Sequence, residues 1–162
     1  MMISGPYLDE VRARWEVVRE LAIEIASADG HAKVLACHGA SQVELRVMRD
    51  GDPAGDGDVL FVGHAFSDVP RLLEALESGR HLSDEDVNGI SMRVASASPG
   101  PWTAFIESDG GIGGSDVIRV SEGDREADMY LWMGPDPAPS AFFRFVAEAR
   151  QDLPALLAAA RQ

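Results

Sequence analysis

Cysteine and histidine are the residues of this chain with the clearest potential for nucleophilic or metal chemistry. Cys37 is followed directly by His38, and the other histidines are His31, His64 and His81. A thiolate beside a histidine base can act as a nucleophile, and Cys and His together can ligate zinc. The spacings fit no zinc-binding pattern, and no catalytic motif flanks the cysteine. The pattern therefore favours a half-buried cysteine at a strand end, and we predict no catalytic residue and no metal site.

A glycine-rich segment, SDGGIGGS at positions 108–115, could cradle a phosphate group. Phosphate-binding loops of this kind need a helix that begins directly after the glycines. Here the segment VIRV at 117–120 follows, which is typical of a strand, and the chain contains no Gly-Lys-Ser or Gly-Lys-Thr sequence. We therefore expect a flexible hairpin loop at 108–115 and no bound cofactor.

An acidic turn follows, with carboxylates at every second residue from position 122 to position 128. Calcium-binding loops use a longer spacing with a closing glutamate, so the pattern favours a solvated turn. The functional alternative is a contact patch for a basic partner, beside two tryptophans on predicted strands. Tryptophan is enriched at interface hot spots, although tryptophans on strands are more often part of the core. The candidate partner-binding residues are Trp102, Asp109, Asp116, Glu122, Asp124, Glu126, Asp128 and Trp132.

The net charge of -13 limits the classes of partner, because 27 Asp and Glu stand against 14 Lys and Arg. Such a field repels nucleic-acid backbones and anionic membranes, and it attracts basic proteins. We therefore expect no direct binding to nucleic acid or membrane. One cysteine excludes an internal disulfide and fits a reducing compartment. The first ten residues carry no basic and no apolar region typical of a signal peptide, so we expect a cytoplasmic protein, as a monomer or homodimer.

Two stretches of the chain repeat one another. The segment FVGHAFSDVPRLLEALES at 61–78 matches FVAEARQDLPALLAAARQ at 145–162 in eight positions without a gap. An internal repeat of this kind predicts two copies of one module. The shared residues are interpreted as helix caps, helix breaks and buried leucines. The predicted caps are Asp68 and Asp152, and the predicted breaks are at Pro70 and Pro154. The predicted buried leucines are Leu72, Leu73, Leu156 and Leu157.

The local patterns assign elements that fit this repeat. Apolar residues at spacings of three and four predict a helix over 7–26, ended by Asp29-Gly30, and strands follow at 32–36 and 43–47. The apolar run after position 58 is assigned to a helix because its repeat partner is helical in composition. In the second half, Ser83 caps a helix, strands follow at 102–107, 117–120 and 129–133, and a helix pair starts at Ser140.

The elements together predict an α+β fold with antiparallel strands and helices on one face of the sheet. Each half consists of a helix, antiparallel strands and a broken helix. The first copy is expected at 1–80 and the second at 81–162. Because about 80 residues give only a marginal core, the two copies are expected to share one core within one compact domain.

The segment Ser-Pro-Gly-Pro-Trp at 98–102, together with FVAEARQDLPALL at 145–157, resembles a module of actinobacterial and phage-borne proteins, the Ead-type phage accessory family. The match covers roughly the second half of the chain. In the first half Asp29-Gly30-His31 replaces the Pro-Gly-Pro-Trp start. The resemblance implies no activity and no site residues, but it implies a small protein of accessory or mobile genes.

Three functions remain open at this point. The first is a non-enzymatic acidic binding protein, such as an immunity-type inhibitor that occludes a basic toxin or another basic partner. The second is a small-ligand or enzymatic domain that uses the cleft between the two halves, with Cys37, a histidine or the glycine loop. The third is a nucleic-acid mimic that competes with DNA for a DNA-binding protein. The charge and the missing catalytic pattern favour the first.

Overall fold

Four helices and eight strands make up the described part of the chain, which is 3–107, 115–122 and 124–162 in the computed structural model. Three longer strands and one two-residue strand lie between the first and second helices, and the same set lies between the third and fourth. The elements are α1 Gly5–Val18, β1 Ala22–Ala28, β2 His31–His38, β3 Ser41–Arg49, β4 Asp52–Pro53, α2 Asp56–Ser78, α3 Asp84–Ser96, β5 Trp102–Phe105, β6 Val117–Glu122, β7 Arg125–Met133, β8 Asp136–Pro137 and α4 Ser140–Ala160.

The strands form one antiparallel sheet in the order β1-β2-β3-β7-β6-β5. The two-residue strands β4 and β8 pair with β3 and β7, respectively. At the centre of the sheet β3 pairs with β7, and Val47 lies opposite Leu131. The predicted α+β class with an antiparallel sheet is confirmed.

Helices α2 and α4 pack on the sheet, α2 against β1–β3 and α4 against β5 and β6, and α1 and α3 pack on these two helices. One buried cluster contains side chains from all four helices and from both halves of the chain. The four repeated leucines, 72, 73, 156 and 157, are buried in it as predicted. A glycine at position 63 lets α2 approach the sheet, because a Cβ there would overlap with Ile25 and Val34.

The predicted helix over 7–26 is wrong beyond residue 18. α1 ends at Val18, and the next residues form β1, which pairs with β2 along seven residue pairs. Asp29 and Gly30, interpreted as a helix stop, form the hairpin turn, with φ of 52° and 78°. Asp-Gly is a preferred pair for such a turn because both central residues need positive φ. The segment AIEIASA fits a strand alternation as well as a helical stripe, and pairing with β2 decides between them.

The predicted helix over 58–66 is confirmed, but the predicted break after it is wrong. α2 continues through Pro70 and α4 continues through Pro154, so each is a single helix. Asp68 and Asp152 therefore lie inside helices and are not caps. The predicted cap at Ser83 is confirmed, since its side chain accepts a hydrogen bond of 3.1 Å from the backbone N–H of Asp86. No helix in the described ranges combines the length and the apolar character that a membrane span requires.

Candidate functional site

The sheet has one face covered by helices and one face that we call the open face. Side chains alternate along each strand, so the buried Leu45 and Val47 face the helices, whereas Arg46 and Met48 point to the opposite side. Among the described residues no helix packs on that opposite side. The open face is therefore the largest sheet surface that the fold leaves available to a partner.

Aromatic and apolar side chains form a continuous row across the open face. On the central strands Met48 lies opposite Tyr130, and on the edge Phe105 lies opposite Val117. Trp132 lies beside this row on β7. Phe105 is 42 % exposed, whereas the side chains of Tyr130 and Trp132 are half-buried. We call these five residues the aromatic row.

Charged side chains flank the aromatic row. The guanidinium of Arg119 lies 5.1 Å from the ring centre of Phe105 and makes a 3.3 Å contact from Nε to Oδ1 of Asp128. Its Nε is also 3.7 Å from the carboxylate of Glu126. On the other side of the sheet centre, Nζ of Lys33 lies 3.8 Å from Glu44. Charge pairs of this kind form the polar rim that is typical of protein interfaces.

The structure brings together three of the residues predicted to bind a partner. Glu126, Asp128 and Trp132 alternate along β7 and share the open face, as the spacing of two requires. Asp124 is exposed at the turn that precedes β7. Glu122 ends β6 and lies opposite Arg125 of β7.

Trp102 is a correction, because its side chain faces the helices and is only 2 % exposed. It packs edge-on against Phe61 with ring centres 5.1 Å apart, and its indole N–H donates to the carbonyl of Ser98. A buried core residue cannot contact a partner. Asp116 is engaged within the fold, since its carboxylate accepts hydrogen bonds from the hydroxyl of Ser140 and the backbone N–H of Glu107.

Asp109 and most of the predicted glycine loop lie outside the described residues. The residues that sequence reasoning missed are Met48, Phe105, Val117 and Tyr130 of the aromatic row. The alternation of β7 contained a signal for Tyr130, because it stands two residues from both Asp128 and Trp132. For Met48 and Phe105 no such signal existed, because the strand register decides which residues become neighbours.

Cys37 and His64, two candidates for reactive chemistry, lie on different elements, β2 and α2. Cys37 is half-buried on β2, where the side-chain amide of Gln42 lies 3.6 Å from its sulfur. His64 lies on α2, and burial followed by the charge of Arg93 lowers its pKa. Within the described ranges, no three His, Cys, Asp or Glu side chains are grouped as metal ligands would be.

In the described part of the chain, two clefts have the volume of a small-molecule site. One of about 640 Å³ lies between β2, the β3–β4 hairpin and the start of α2, where His31 is 3.7 Å from Asp56. The other, of about 430 Å³, lies beside β5 and is lined by side chains that include Arg14, Arg144 and Glu148. Each cleft carries charges of both signs, so neither selects a particular ligand charge.

Three buried aspartates were also missed by the sequence analysis, and each pairs with an arginine. Asp68 is 1 % exposed and accepts two hydrogen bonds of 2.8 Å from Nε and Nη2 of Arg93. Asp152 accepts one hydrogen bond of 2.8 Å from Arg14 and another from the hydroxyl of Tyr7. Both pairs join the first helix of one half to the last helix of the other half.

The third buried aspartate, Asp58, holds the segment that precedes β5. Its carboxylate accepts hydrogen bonds of 2.7 and 2.8 Å from the backbone N–H and the hydroxyl of Ser98. Arg49 donates to the same hydroxyl at 2.8 Å, and Arg150 donates to the carbonyl of Ser98 at 3.0 Å. Each of the three carboxylates is buried and hydrogen-bonded within the fold, so the aspartates are not available to a partner.

Comparison of the chain with family models, with curated proteins and with solved structures finds no match in any of the three.

Proposed function

We propose that this protein is a non-catalytic binding protein that covers a basic protein partner with the open face of its sheet. The observation that carries the proposal is the aromatic row on a sheet face without helices. In this row Phe105 is exposed, Met48, Tyr130 and Trp132 are half-buried, and Val117 is buried. Apolar side chains that reach the surface together in this way are typical of interaction sites. Tyrosine and tryptophan also dominate interface hot spots, because they bury a large area at little conformational cost.

Charge supports the choice of a basic partner. The chain carries a net charge of -13, which would accelerate the approach of a positively charged protein. On the open face itself Glu126 and Asp128 stand next to Trp132, and one arginine, Arg119, contacts both carboxylates. A partner with its own basic side chains would compete for these carboxylates at the edge of the aromatic row.

An immunity-type inhibitor, which occludes a basic toxin, is the form of this function that we favour. A protein that acts by covering a surface needs a broad face and no catalytic group. The resemblance of 98–102 and 145–157 to the Ead-type accessory family is consistent with this role, because that resemblance implies a protein of accessory genes. We further propose a cytoplasmic location, where a single cysteine such as Cys37 stays reduced.

We also propose that the chain consists of two copies of one module, 1–80 and 81–162, which share one core. Val47 lies opposite Leu131, which is 84 positions later, and the same interval separates Asp68 from Asp152. The order helix, three strands, two-residue strand and helix also occurs in each half. Under this proposal the open face is composite, since its aromatic row combines Met48 of one copy with residues of the other.

The test compares wild-type protein with Trp132→Ala/Tyr130→Ala and with Met92→Ala as the matched control. Met92 is 69 % exposed on α3, far from the open face, so its loss removes an exposed apolar side chain elsewhere. Immobilised proteins capture binding proteins from source cells, and the affinity of a captured protein is then measured with purified material. We expect a basic partner whose affinity falls at least about 30-fold in the double variant and stays unchanged in the control.

Salt provides the second arm of this test. High salt should slow association with the partner, because charge attraction is screened over about 10 Å at 0.1 M. The proposal would be contradicted if the partner were acidic or if the affinity did not change with salt. Equal binding of the partner by wild type, the double variant and the control would also contradict it.

A further inference from the structure

The sheet has two edges, and they differ in how well they are protected. The sheet order places β5 at one edge and β1 at the other. An edge strand leaves half of its backbone N–H and C=O groups free to pair with another chain, so natural proteins shorten, charge or cover such strands.

The β5 edge carries several of these protective devices. The strand has only four residues and follows directly on Pro101. Arg119 stacks over Phe105 on its open face, and α4 packs against its other face. A short strand that is flanked by proline and covered by charge is a poor template for strand addition.

The β1 edge lacks the short length and the flanking proline of β5, although α2 packs against one of its faces. Its seven residues, AIEIASA, contain no proline and no lysine, and their only charge is Glu24. The pairing with β2 is continuous from Ala22–Cys37 to Ala28–His31, so no bulge interrupts the strand. Among the described strands, none lies on the other side of β1. The side chains of Ile23 and Ile25 are half-buried, and the flanking residues are small.

The register identifies the backbone groups that point to this free edge. The N–H of Ala32 on β2 donates to Asp56, on the side of β2 away from β1. Backbone groups of an antiparallel strand alternate in direction, so the neighbouring Lys33 exchanges hydrogen bonds with its partner Ala26. It follows that Ile23, Ile25 and Ser27 direct their N–H and C=O groups to the free edge.

Charge distinguishes between the possible occupants of the edge. Glu24 lies on the strand, and Glu20 and Asp29 stand just before and just after it. A second copy of the chain would bring another net charge of -13 to this edge, which disfavours self-pairing. A basic segment would instead meet Glu24 on the strand and one carboxylate near each of its ends.

We propose that the free edge of β1 binds an extended basic segment of the protein partner, which adds to the sheet as a further strand. This inference rests on the proposed function, from which it takes the basic partner. Main-chain hydrogen bonds to Ile23, Ile25 and Ser27 supply the pairing. Alternate side chains of the added strand supply the specificity, with apolar residues beside the two isoleucines and basic residues beside Glu24.

The probe for this proposal is a synthetic eight-residue peptide of alternating lysine and valine, and its control alternates glutamate and valine. Both are added at about 1 mM to the full chain, a concentration that detects even a weak complex. Amide hydrogen exchange is then measured residue by residue. We expect the lysine peptide to slow exchange at Ile23, Ile25 and Ser27 at least about 10-fold, and the glutamate peptide to leave it unchanged.

Substitutions at one position separate the backbone from the side chain. Ser27→Pro removes an N–H that points to the free edge and leaves the ladder with β2 intact, so it should abolish the protection. Ser27→Ala keeps that N–H and should retain it. If Ser27→Pro fails to fold, Glu24→Lys still tests the proposal through its charge, because it should reverse the preference between the two peptides.

Four outcomes would overturn the inference. The absence of protection with the lysine peptide, or equal protection by both peptides, overturns it. Protected β1 amides without peptide, with a dimer in sedimentation that Ser27→Pro dissociates, assign the edge to a second copy and also overturn it. A basic partner that depends on Trp132 and Tyr130 but leaves β1 amides unprotected overturns this inference alone. Protection by the lysine peptide without any basic partner contradicts the proposed function alone.

Discussion

The start of α2 and the start of α4 each meet the end of another helix, but one of these corners is closed and the other is open. In the closed corner α3 packs so tightly on α2 that a Cβ at Gly57 would overlap with the backbone oxygen of Ser96. In the open corner α1 leaves a cleft of about 250 Å³ beside α4, lined in part by Val17 and Ala141. Val17 is 69 % exposed there.

A polar network accounts for the difference between the corners. In the closed corner the carboxylate of Asp58 binds the backbone N–H and the hydroxyl of Ser98 and so holds the chain after α3 against the start of α2. In the open corner Phe142 follows Ala141 and packs against Phe66, with ring centres 5.3 Å apart. Directional hydrogen bonds fix the position of a neighbouring chain, whereas an aromatic contact inside the core does not. About ten residues further along each of α2 and α4, a buried aspartate pairs with an arginine of the neighbouring helix: Asp68 with Arg93 of α3, and Asp152 with Arg14 of α1.

The largest expected effect concerns what the two corners share. Asp68→Ala and Asp152→Ala each remove the partner of a largely buried arginine, and we expect each to cost about 3–5 kcal/mol of unfolding free energy. The side chains of Arg93 and Arg14 are 22 % and 26 % exposed, so water can replace only part of the lost interaction. Urea unfolding at pH 7 measures both values.

The control for this prediction removes both charges of one pair. Asp68→Leu/Arg93→Met should recover most of the stability that Asp68→Ala loses, because no unpaired charge remains. A double variant as unstable as the single variant would show that the pair contributes through packing and not through its charges.

The second prediction tests the closed and the open corner directly. Gly57→Ala should destabilise the protein by about 1–3 kcal/mol, because the added methyl group meets backbone that cannot rotate away. This exceeds the gain of at most about 1 kcal/mol in helix propensity. Ala141→Gly, at the start of α4, should cost only about 0.5–1 kcal/mol, the propensity term alone. Thermal melts of both variants measure the difference; a stabilising Gly57→Ala would mean that the closed corner is not tightly packed.

A third prediction sharpens the comparison of the two ion pairs. Arg93 makes two hydrogen bonds to Asp68, whereas Arg14 makes one to Asp152 and its Nε, although buried, has no partner in the described structure. The hydroxyl of Tyr7 supplies the second bond to Asp152. Tyr7→Phe should therefore cost about 1–2 kcal/mol at pH 7.

The pH dependence of the same variant gives an independent check. Burial, and then the hydrogen bond to Asp152, raise the pKa of Tyr7 above its ordinary value of 10.0. The contribution of the neutral phenol is therefore fully present below pH 10 and is lost as the pH rises through the folded-state pKa. Wild type should lose stability in this range relative to Tyr7→Phe. Tyr130→Phe is the control, and an equal effect of both variants would contradict the assignment to Tyr7.

The sequence predicted the helical repeat segments well because their information is local and is present twice. The helix over 58–66 follows from comparison with 145–162, and the buried leucines follow from their spacing. The character of Asp68 and Asp152 was missed, because a helix cap and a buried ion-pair residue have the same local sequence. Only the fold brings Arg93 and Arg14 to these carboxylates, from residues far away in the chain.

The candidate site could be predicted in part for a similar reason. Alternation along one strand is a local property, so Glu126, Asp128 and Trp132 were expected together. Which face of the sheet a strand residue occupies depends on register and on where the helices pack. Trp102 was therefore interpreted as a contact residue although it faces the core, and the exposed Phe105 on the same strand was overlooked.

The smallest expected effect distinguishes the surroundings of the two ion pairs at mildly acidic pH. In α2 His64 lies near Arg93, Asp68 and Arg71, whereas Glu148 lies near Arg14 in α4. Burial, and then the charge of Arg93, lower the pKa of His64 below 6.5. The unfolded chain therefore binds a proton at a higher pH than the folded chain does, and stability decreases as the pH falls below 6.5.

This decrease should be absent from one variant only. His64→Gln should unfold in urea at a midpoint that changes less than that of wild type between pH 7 and pH 5, since it has no proton to bind at this position. His81→Gln removes an exposed histidine and should retain the wild-type slope. If both variants keep the wild-type slope, the loss of stability at acidic pH is caused by the carboxylates. The Asp68–Arg93 and Asp152–Arg14 pairs would then respond to pH alike, although His64 lies beside the first and Glu148 beside the second.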